Sequence, residues 1–149
     1  MASKYDGDAV RLRLVVARLG RRLRAVDVSA GLTPSQASLL SRVVRRGPVG
    51  LSALAELEGV DAPSLSRAVD RLEAKKLVRR SPDPDDGRAV VAEATGAGRQ
   101  LMDTLRSARN DALQARLAQL DVEERRLLHA ALPVLEGLAD ALKGERARP

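Results

Sequence analysis

The sequence of 149 residues contains no cysteine, a single histidine and a single aromatic residue, Tyr5. Without cysteine the chain cannot form a disulfide, a thiolate metal site or a cysteine redox switch, and one histidine cannot build a histidine metal cluster. Most modules that bind RNA or single strands stack bases on aromatic rings, which are almost missing here. Sandwiches and barrels also depend on aromatic residues, so the composition favours packed helices. We expect no metal and no cofactor.

Long apolar runs are also missing. No segment approaches the roughly 20 apolar residues that a membrane-spanning helix requires. The first residues, MASKYDGDAVRLR, lack the apolar centre of a signal peptide, so we expect a cytoplasmic protein with no membrane partner. Because the sequence has no glycine-rich phosphate loop and no convergent carboxylate pair, it offers no visible catalytic set, and we do not expect an enzyme.

The chain carries a net charge of +6, and its isoelectric point of about 10.6 suggests a nucleic-acid partner. The excess charge lies mainly in residues 1–44, which contain 8 basic and 3 acidic side chains. Residues 45–91 are nearly balanced, with 9 and 8, and residues 92–149 contain 9 of each. The isoelectric point alone is therefore weak support for DNA binding.

The order of helix signals divides the chain into three parts. Residues 9–26 have a broad apolar stripe and six arginines, which indicates a helix with more than one packing partner, such as a second chain. Thr33 and Gln36 form a capping box for a second helix that ends at Gly47. Near the other end, Thr95 opens a long helix with two glycines in its first turn, and Asp121 with Glu124 caps a last one.

Between these helices the pattern predicts a winged helix-turn-helix. Residues 51–57 form a short helix, EGVD is a tight turn, and Asp61 caps a further helix with Pro63 in its first turn. The segments LVRR and AVVAEA then alternate as two strands around the turn SPDPDDG. We expect the aspartates of this turn to balance the arginines of the hairpin, Arg79, Arg80 and Arg88, although Asp and Pro also suit a tight turn without any further role.

The periodicity of the second helix assigns its two faces. Leu65, Ala68, Val69 and Leu72 recur at helical spacing and are expected to face the core. The outward side chains are then Pro63, Ser64, Arg67 and Arg71, with Ser66 and Asp70 on the flanks. Such a helix fits a major groove about 12 Å wide, while a hairpin can reach the adjoining backbone or minor groove. Short hydroxyls and arginines are side chains that contact base edges and phosphates.

The segments LTPSQASLL, LSALAELEGVDAPSLSRAVDRLEAKKLVRR, PDPDDGRAVV and TGAGRQLM resemble, in this order, the MarR (multiple antibiotic resistance regulator) family of bacterial transcription factors. The resemblance implies a mainly α fold with a small β-hairpin wing. It implies an N-terminal dimerisation helix in residues 1–30 and a winged helix-turn-helix domain in residues 31–95, with the wing at about 77–94. C-terminal dimerisation helices would occupy residues 96–145, and we expect residues 146–149 to be a disordered tail.

The resemblance also implies a function. The chain would be a homodimeric, sequence-specific transcriptional repressor that binds a palindromic operator in double-stranded DNA and is released by a small anionic or phenolic effector. Ser64, Ser66 and Arg67 would meet the major groove, with Pro63 beside them, and Arg71 would contact a base or phosphate. At the wing tip Arg88 would enter the minor groove, with Asp86 bracing it. The effector site is unknown, and Arg18, Arg21 and Arg22 are candidates for it.

Three positions depart from the family pattern. Gly87 stands where the wing often has an arginine, Gly50 where a Ser or Thr cap is usual, and Glu58 at a turn position that is normally apolar. An alternative function also remains open, in which the winged helix serves only protein contacts as a helical interaction module. Salt would separate the two, because phosphate contacts make DNA binding salt-dependent and the module would have no duplex affinity.

Overall fold

The computed structural model describes residues 6–83 and 89–145, which form six helices and three short strands. The helices are α1 (Asp6–Ser29), α2 (Pro34–Arg46), α3 (Leu51–Glu58), α4 (Ala62–Ala74), α5 (Gly96–Leu117) and α6 (Val122–Glu145). The strands are β1 (Val49–Gly50), β2 (Val78–Pro82) and β3 (Val90–Ala94). The chain divides into two compact units, Met1–Asn110 and Asp111–Pro149. The expected tail at 146–149 lies outside the described residues.

The predicted caps are present, and they set where the helices begin. At α2, Thr33 Oγ1 accepts from the Gln36 amide at 3.2 Å and Gln36 Oε1 accepts from the Thr33 amide at 3.0 Å. This reciprocal pair satisfies two amides that an open helix end leaves free. Gly47 ends α2 at a φ of 76°, as predicted. Asp121 and Glu124 form the same reciprocal pair at the start of α6, with distances of 2.8 and 3.0 Å.

The sheet differs from the predicted two-stranded hairpin. It has three antiparallel strands in the order β1-β3-β2, with Val49 opposite Ala92 and Val78 opposite Ala94. β2 also extends through Ser81 and Pro82, which the sequence pattern assigned to the turn. Pro82 lacks an amide hydrogen but lies on an edge strand, where that loss is tolerated.

One apolar core holds the first unit together. Its fully buried side chains come from α2, α3, α4 and β2, and they include Leu39, Leu40, Val43, Leu54, Leu65, Val69, Leu72 and Val78. α5 adds Met102 and Leu105. The first turn of α5 approaches the start of β2 so closely that a Cβ on Gly98 would lie 2.1 Å from the Leu77 carbonyl oxygen. Glycine at 98 therefore permits the contact that joins α5 to the winged helix.

Apolar side chains remain exposed on the two terminal helices. On α1 they are Val10, Leu12, Leu14, Val15, Val16, Leu19 and Val28. On α6 they include Val122, Leu127, Leu132, Val134, Leu135, Leu138 and Leu142. Among the helices that the structure describes, none is long and apolar enough to cross a membrane.

Candidate nucleic-acid interface

The helix α4 has one buried face and one exposed ridge, as its sequence period predicted. Leu65, Val69 and Leu72 are buried in the core, and Ala68 packs partly against it. On the opposite side the exposed side chains are Pro63, Arg67 and Arg71, with Ser64 half-buried. The buried leucines and valine hold the helix on the domain, so the two arginines project from a fixed support.

A chain of hydrogen bonds orders the first turn of α4. Asp61 Oδ1 accepts from the Ser64 amide at 2.7 Å, and Asp61 Oδ2 accepts from the Ser64 hydroxyl at 3.0 Å. Arg67 Nη2 then donates to Ser64 Oγ at 3.0 Å. The hydrogen bonds from the Ser64 amide and hydroxyl, with the nearby Arg67 charge, lower the pKa of Asp61. The ionised carboxylate accepts only, so the Ser64 proton points to Asp61 and its oxygen is left for Arg67.

A second polar cluster joins β2 to the flank of α4. Arg80 Nη1 lies 2.7 Å from Asp70 Oδ1 and 2.6 Å from Glu73 Oε2. Its Nη2 donates to the backbone oxygen and the hydroxyl of Ser66 at 3.1 and 3.2 Å. Partial burial opposes the charged form, but the hydrogen bonds and charges of Asp70 and Glu73 outweigh it and raise the pKa of Arg80. We name these four residues the Arg80 cluster.

The Arg80 cluster changes the interpretation of two sequence features. Ser66, predicted to meet the major groove, is half-buried and accepts hydrogen bonds from Arg80. Two of the three hairpin arginines have acidic partners outside the turn, because Arg80 is bound by α4 and Arg79 pairs with Glu93 across the strands at 2.7 Å. A sequence signal for the cluster existed, since Ser66, Asp70 and Glu73 follow each other at spacings of four and three along one flank.

The predicted contacts at the wing tip, Asp86 and Arg88, lie outside the described residues, as does Gly87. The two departures in the helix-turn-helix are described. Gly50 precedes α3 without a side-chain cap, and Gly59 ends that helix at a φ of 65°. Glu58 accepts a hydrogen bond from Arg42 of α2, so this charged turn residue has an ion-pair partner in place of an apolar contact.

Two cavities of about 200 Å³ lie in the first unit. One borders the helix-turn-helix and is lined in part by Glu58, Val60, Ser64 and Arg71. The other lies between α1, α2 and α5, and its lining includes Arg24, Asp27, Ser38, Ser41 and Arg109. In the parts of the chain that the structure describes, no three His, Asp or Glu side chains are grouped so that they could hold a metal ion.

The second cavity contains a buried carboxylate. Asp27 is 0% exposed, and its Oδ1 accepts two hydrogen bonds from Arg109, from Nη2 and from Nε at 3.1 Å. Its other oxygen, Oδ2, has no hydrogen-bond partner among the described residues. Buried polar atoms are usually paired, so this unpaired oxygen is an exception within the core. The predicted effector residues Arg18, Arg21 and Arg22 are exposed on α1 and line neither cavity.

Comparisons with known proteins agree on one family. A model described as the MarR family matches residues 32–90. Over 129 residues the chain is 36% identical to an HTH-type transcriptional regulator of Mycobacterium bovis, covering 87% of this chain and 90% of that protein.

Two solved structures have the same fold. A transcriptional regulator of Thermotoga maritima superposes with a TM-score of 0.79 at 25% identity, over 93% of this chain and 97% of that one. A Staphylococcus aureus MepR mutant, solved bound to an oligodeoxyribonucleotide, superposes with a TM-score of 0.69 at 22% identity, over 87% and 96%. At that identity the second match shows the fold alone.

Proposed function

The chain belongs to the MarR family of transcriptional regulators, and from this premise we propose that it is a homodimeric repressor that binds a palindromic operator in double-stranded DNA. One observation carries the proposal. Arg67 and Arg71 stand exposed on α4, directly opposite a face that is buried in the core. A helix supported in this way can enter the major groove with its cationic ridge against the bases.

We propose a role for each predicted contact on this ridge. Arg67 would donate two hydrogen bonds to a guanine, which is the commonest specific contact in the major groove. Arg71, one turn further along α4, would contact a phosphate or a second base. Pro63 and Ser64 would lie beside the guanine that Arg67 contacts. We assign the minor-groove contact to Arg88 with Asp86 beside it, on the family resemblance alone. Ser66 supports the helix from its flank.

The exposed apolar side chains of α1 and α6 support the proposed homodimer. So many exposed apolar side chains on each of two long helices are typical of an interaction surface. In a two-fold dimer the recognition helices must lie about 34 Å apart to occupy successive major grooves. Light scattering on the purified protein is expected to give twice the chain mass of 16.0 kDa, and Leu138→Arg is expected to lower the measured mass towards that of one chain.

We place the proposed effector in the cavity at Asp27. A small molecule with an acidic group would accept from Arg24 or Arg109, which line the cavity beside the buried Asp27. Such an effector releases DNA only if it binds better to a dimer whose recognition helices have another spacing. We prefer this position to Arg18, Arg21 and Arg22, because those side chains are exposed and line neither cavity.

The experiment that tests the proposal selects bound fragments from the organism's own genome with the purified protein. We expect recovered fragments to share a palindrome, and their affinity to fall steeply as salt rises, because each phosphate contact releases counterions. An interaction module would have no duplex affinity at any salt concentration, and that result would reject DNA binding. Hydroxylated aromatic acids added to the complex are expected to release the DNA from the wild type but not from an Arg109→Ala variant that binds normally.

A further inference from the structure

We propose that Arg80 is a positioning residue that fixes the wing to the recognition helix, so that one rigid unit carries both DNA contacts. This inference rests on the proposed function, because it concerns how the two parts meet DNA. The wing follows α4 in sequence through a short turn, which by itself leaves the angle between strand and helix open. The four residues of the Arg80 cluster supply the connection that sets this angle.

Arg80 attaches β2 to α4 through both its side chain and its backbone amide. Its side chain reaches three residues on successive turns of α4, namely Ser66, Asp70 and Glu73. Its backbone amide also donates to Glu73 Oε1 at 3.1 Å, so Glu73 holds both the main chain and the side chain of β2. A planar guanidinium with several donors in fixed directions suits such a fork, whereas a lysine ammonium does not.

The neighbouring Arg79 provides the contrast. Its side chain is 66% exposed and pairs with Glu93 of the adjacent strand, so it stays within the sheet. The Arg80 side chain is 23% exposed, and its charge is balanced by two carboxylates of α4. Arg80 is therefore engaged with protein groups, and its effect on DNA must act through the position of the wing.

Loss of Arg80 would have two consequences. Asp70 and Glu73 would lose their cationic partner on the flank of the recognition helix. β2 would lose its side-chain contacts with three residues of α4. The buried leucines of α4 would remain, since they belong to a core that Arg80 does not enter. We therefore expect the helix to keep its major-groove contacts and the wing to lose its minor-groove contacts.

Dimethyl sulfate footprinting separates these contacts in a single reaction, because it methylates guanine N7 in the major groove and adenine N3 in the minor groove. The full-length Arg80→Gln and Glu73→Gln variants are added to a selected operator until guanine N7 protection equals that of the wild type. At this matched occupancy we expect adenine N3 protection to fall to the level of free DNA in Arg80→Gln, and by a smaller amount in Glu73→Gln.

The matched control is Arg79→Gln, which removes the same charge from the adjacent position of β2 and should keep both protections. Thermal unfolding of each variant shows whether it is folded. Adenine N3 protection at the wild-type level in a folded Arg80 variant overturns the proposal. Failure of that folded variant to protect guanine N7 at any concentration overturns it too, as does loss of adenine N3 protection in the Arg79 control. A wild type that protects neither base refutes the proposed function itself, which is a different outcome.

Discussion

Removal of one hydroxyl, in Ser64→Ala, tests whether the first turn of α4 orders Arg67 before DNA arrives. Arg67 donates to Ser64 Oγ at 3.0 Å, and Ser64 donates to Asp61 at 3.0 Å. Fixing a long side chain on binding costs about 0.5–1.5 kcal/mol. If the hydrogen bond to Ser64 already fixes the Arg67 side chain in the free protein, part of this cost does not arise on binding. Ser64→Ala removes that hydrogen bond, and we expect it to weaken operator binding by about 2- to 12-fold.

The comparison with Arg67→Ala shows whether Ser64 acts through Arg67 or contacts the DNA itself. A guanine contact of this kind is worth about 1–3 kcal/mol, so Arg67→Ala should weaken operator binding by about 5- to 140-fold. If Ser64 acts through Arg67, the double variant binds as weakly as Arg67→Ala alone, and the coupling free energy equals the whole effect of Ser64→Ala. Fluorescence anisotropy with a labelled operator measures all four affinities at one salt concentration.

An additive result would refute this reasoning. If Ser64→Ala costs the same with and without Arg67, then Ser64 contacts the DNA independently and the hydrogen bond of 3.0 Å does not order the arginine in solution. Binding to a shuffled duplex serves as the control, because we expect Arg67 to contact a base of the operator and not a phosphate. We expect both single variants to bind that duplex nearly as well as the wild type.

Three further predictions concern stability and the wing. Gly98→Ala should lower the free energy of unfolding by about 1–3 kcal/mol or more in urea titrations, because its Cβ meets the Leu77 carbonyl, whereas Gly96→Ala, with no atom within 4 Å, should not. The lowered pKa of Asp61 means that its carboxylate stabilises the fold at neutral pH and ceases to do so as pH falls through that pKa, so the stability difference between wild type and Asp61→Ala should shrink in acid. Arg88→Ala should weaken binding to all duplexes and reduce the salt slope by about one unit, and an unchanged slope would show that Arg88 does not contact the DNA.

Much of the fold was predictable because its signals are local. The caps at Thr33, Asp61 and Asp121 depend on residues three positions apart, and the structure contains all of them. The strand β1 was missed because two residues are too few for an alternating pattern. The extension of β2 through Pro82 was also missed, since it depends on pairing with Val90.

Glycine 98 is a third example of a non-local cause. The sequence placed this residue only in the first turn of a helix, with no indication of what it contacts. The close approach of the Leu77 carbonyl becomes visible only when β2 and α5 are packed together. No local pattern in the sequence contains this information.

In the candidate interface too, features that depend on one helix were predictable from the sequence, and contacts between distant segments were not. Helical period correctly separated the buried Leu65 and Val69 from the exposed Arg67, because it depends on one helix alone. The partners of Arg80 depend on how β2 returns along α4, and they lie 7 to 14 positions away in sequence. The contact between Ser66 and the wing strand was therefore not predicted, and the predicted contact of Ser66 with DNA stays a prediction.

The most direct test of the account is the ratio of two affinities. The purified wild-type protein is titrated with a genomic fragment that it has selected and with a shuffled duplex of the same length and composition, at one physiological salt concentration. A sequence-specific regulator is expected to bind the selected fragment at least about 1,000-fold more tightly. Equal affinity for the two duplexes, or no affinity for either, would contradict the account.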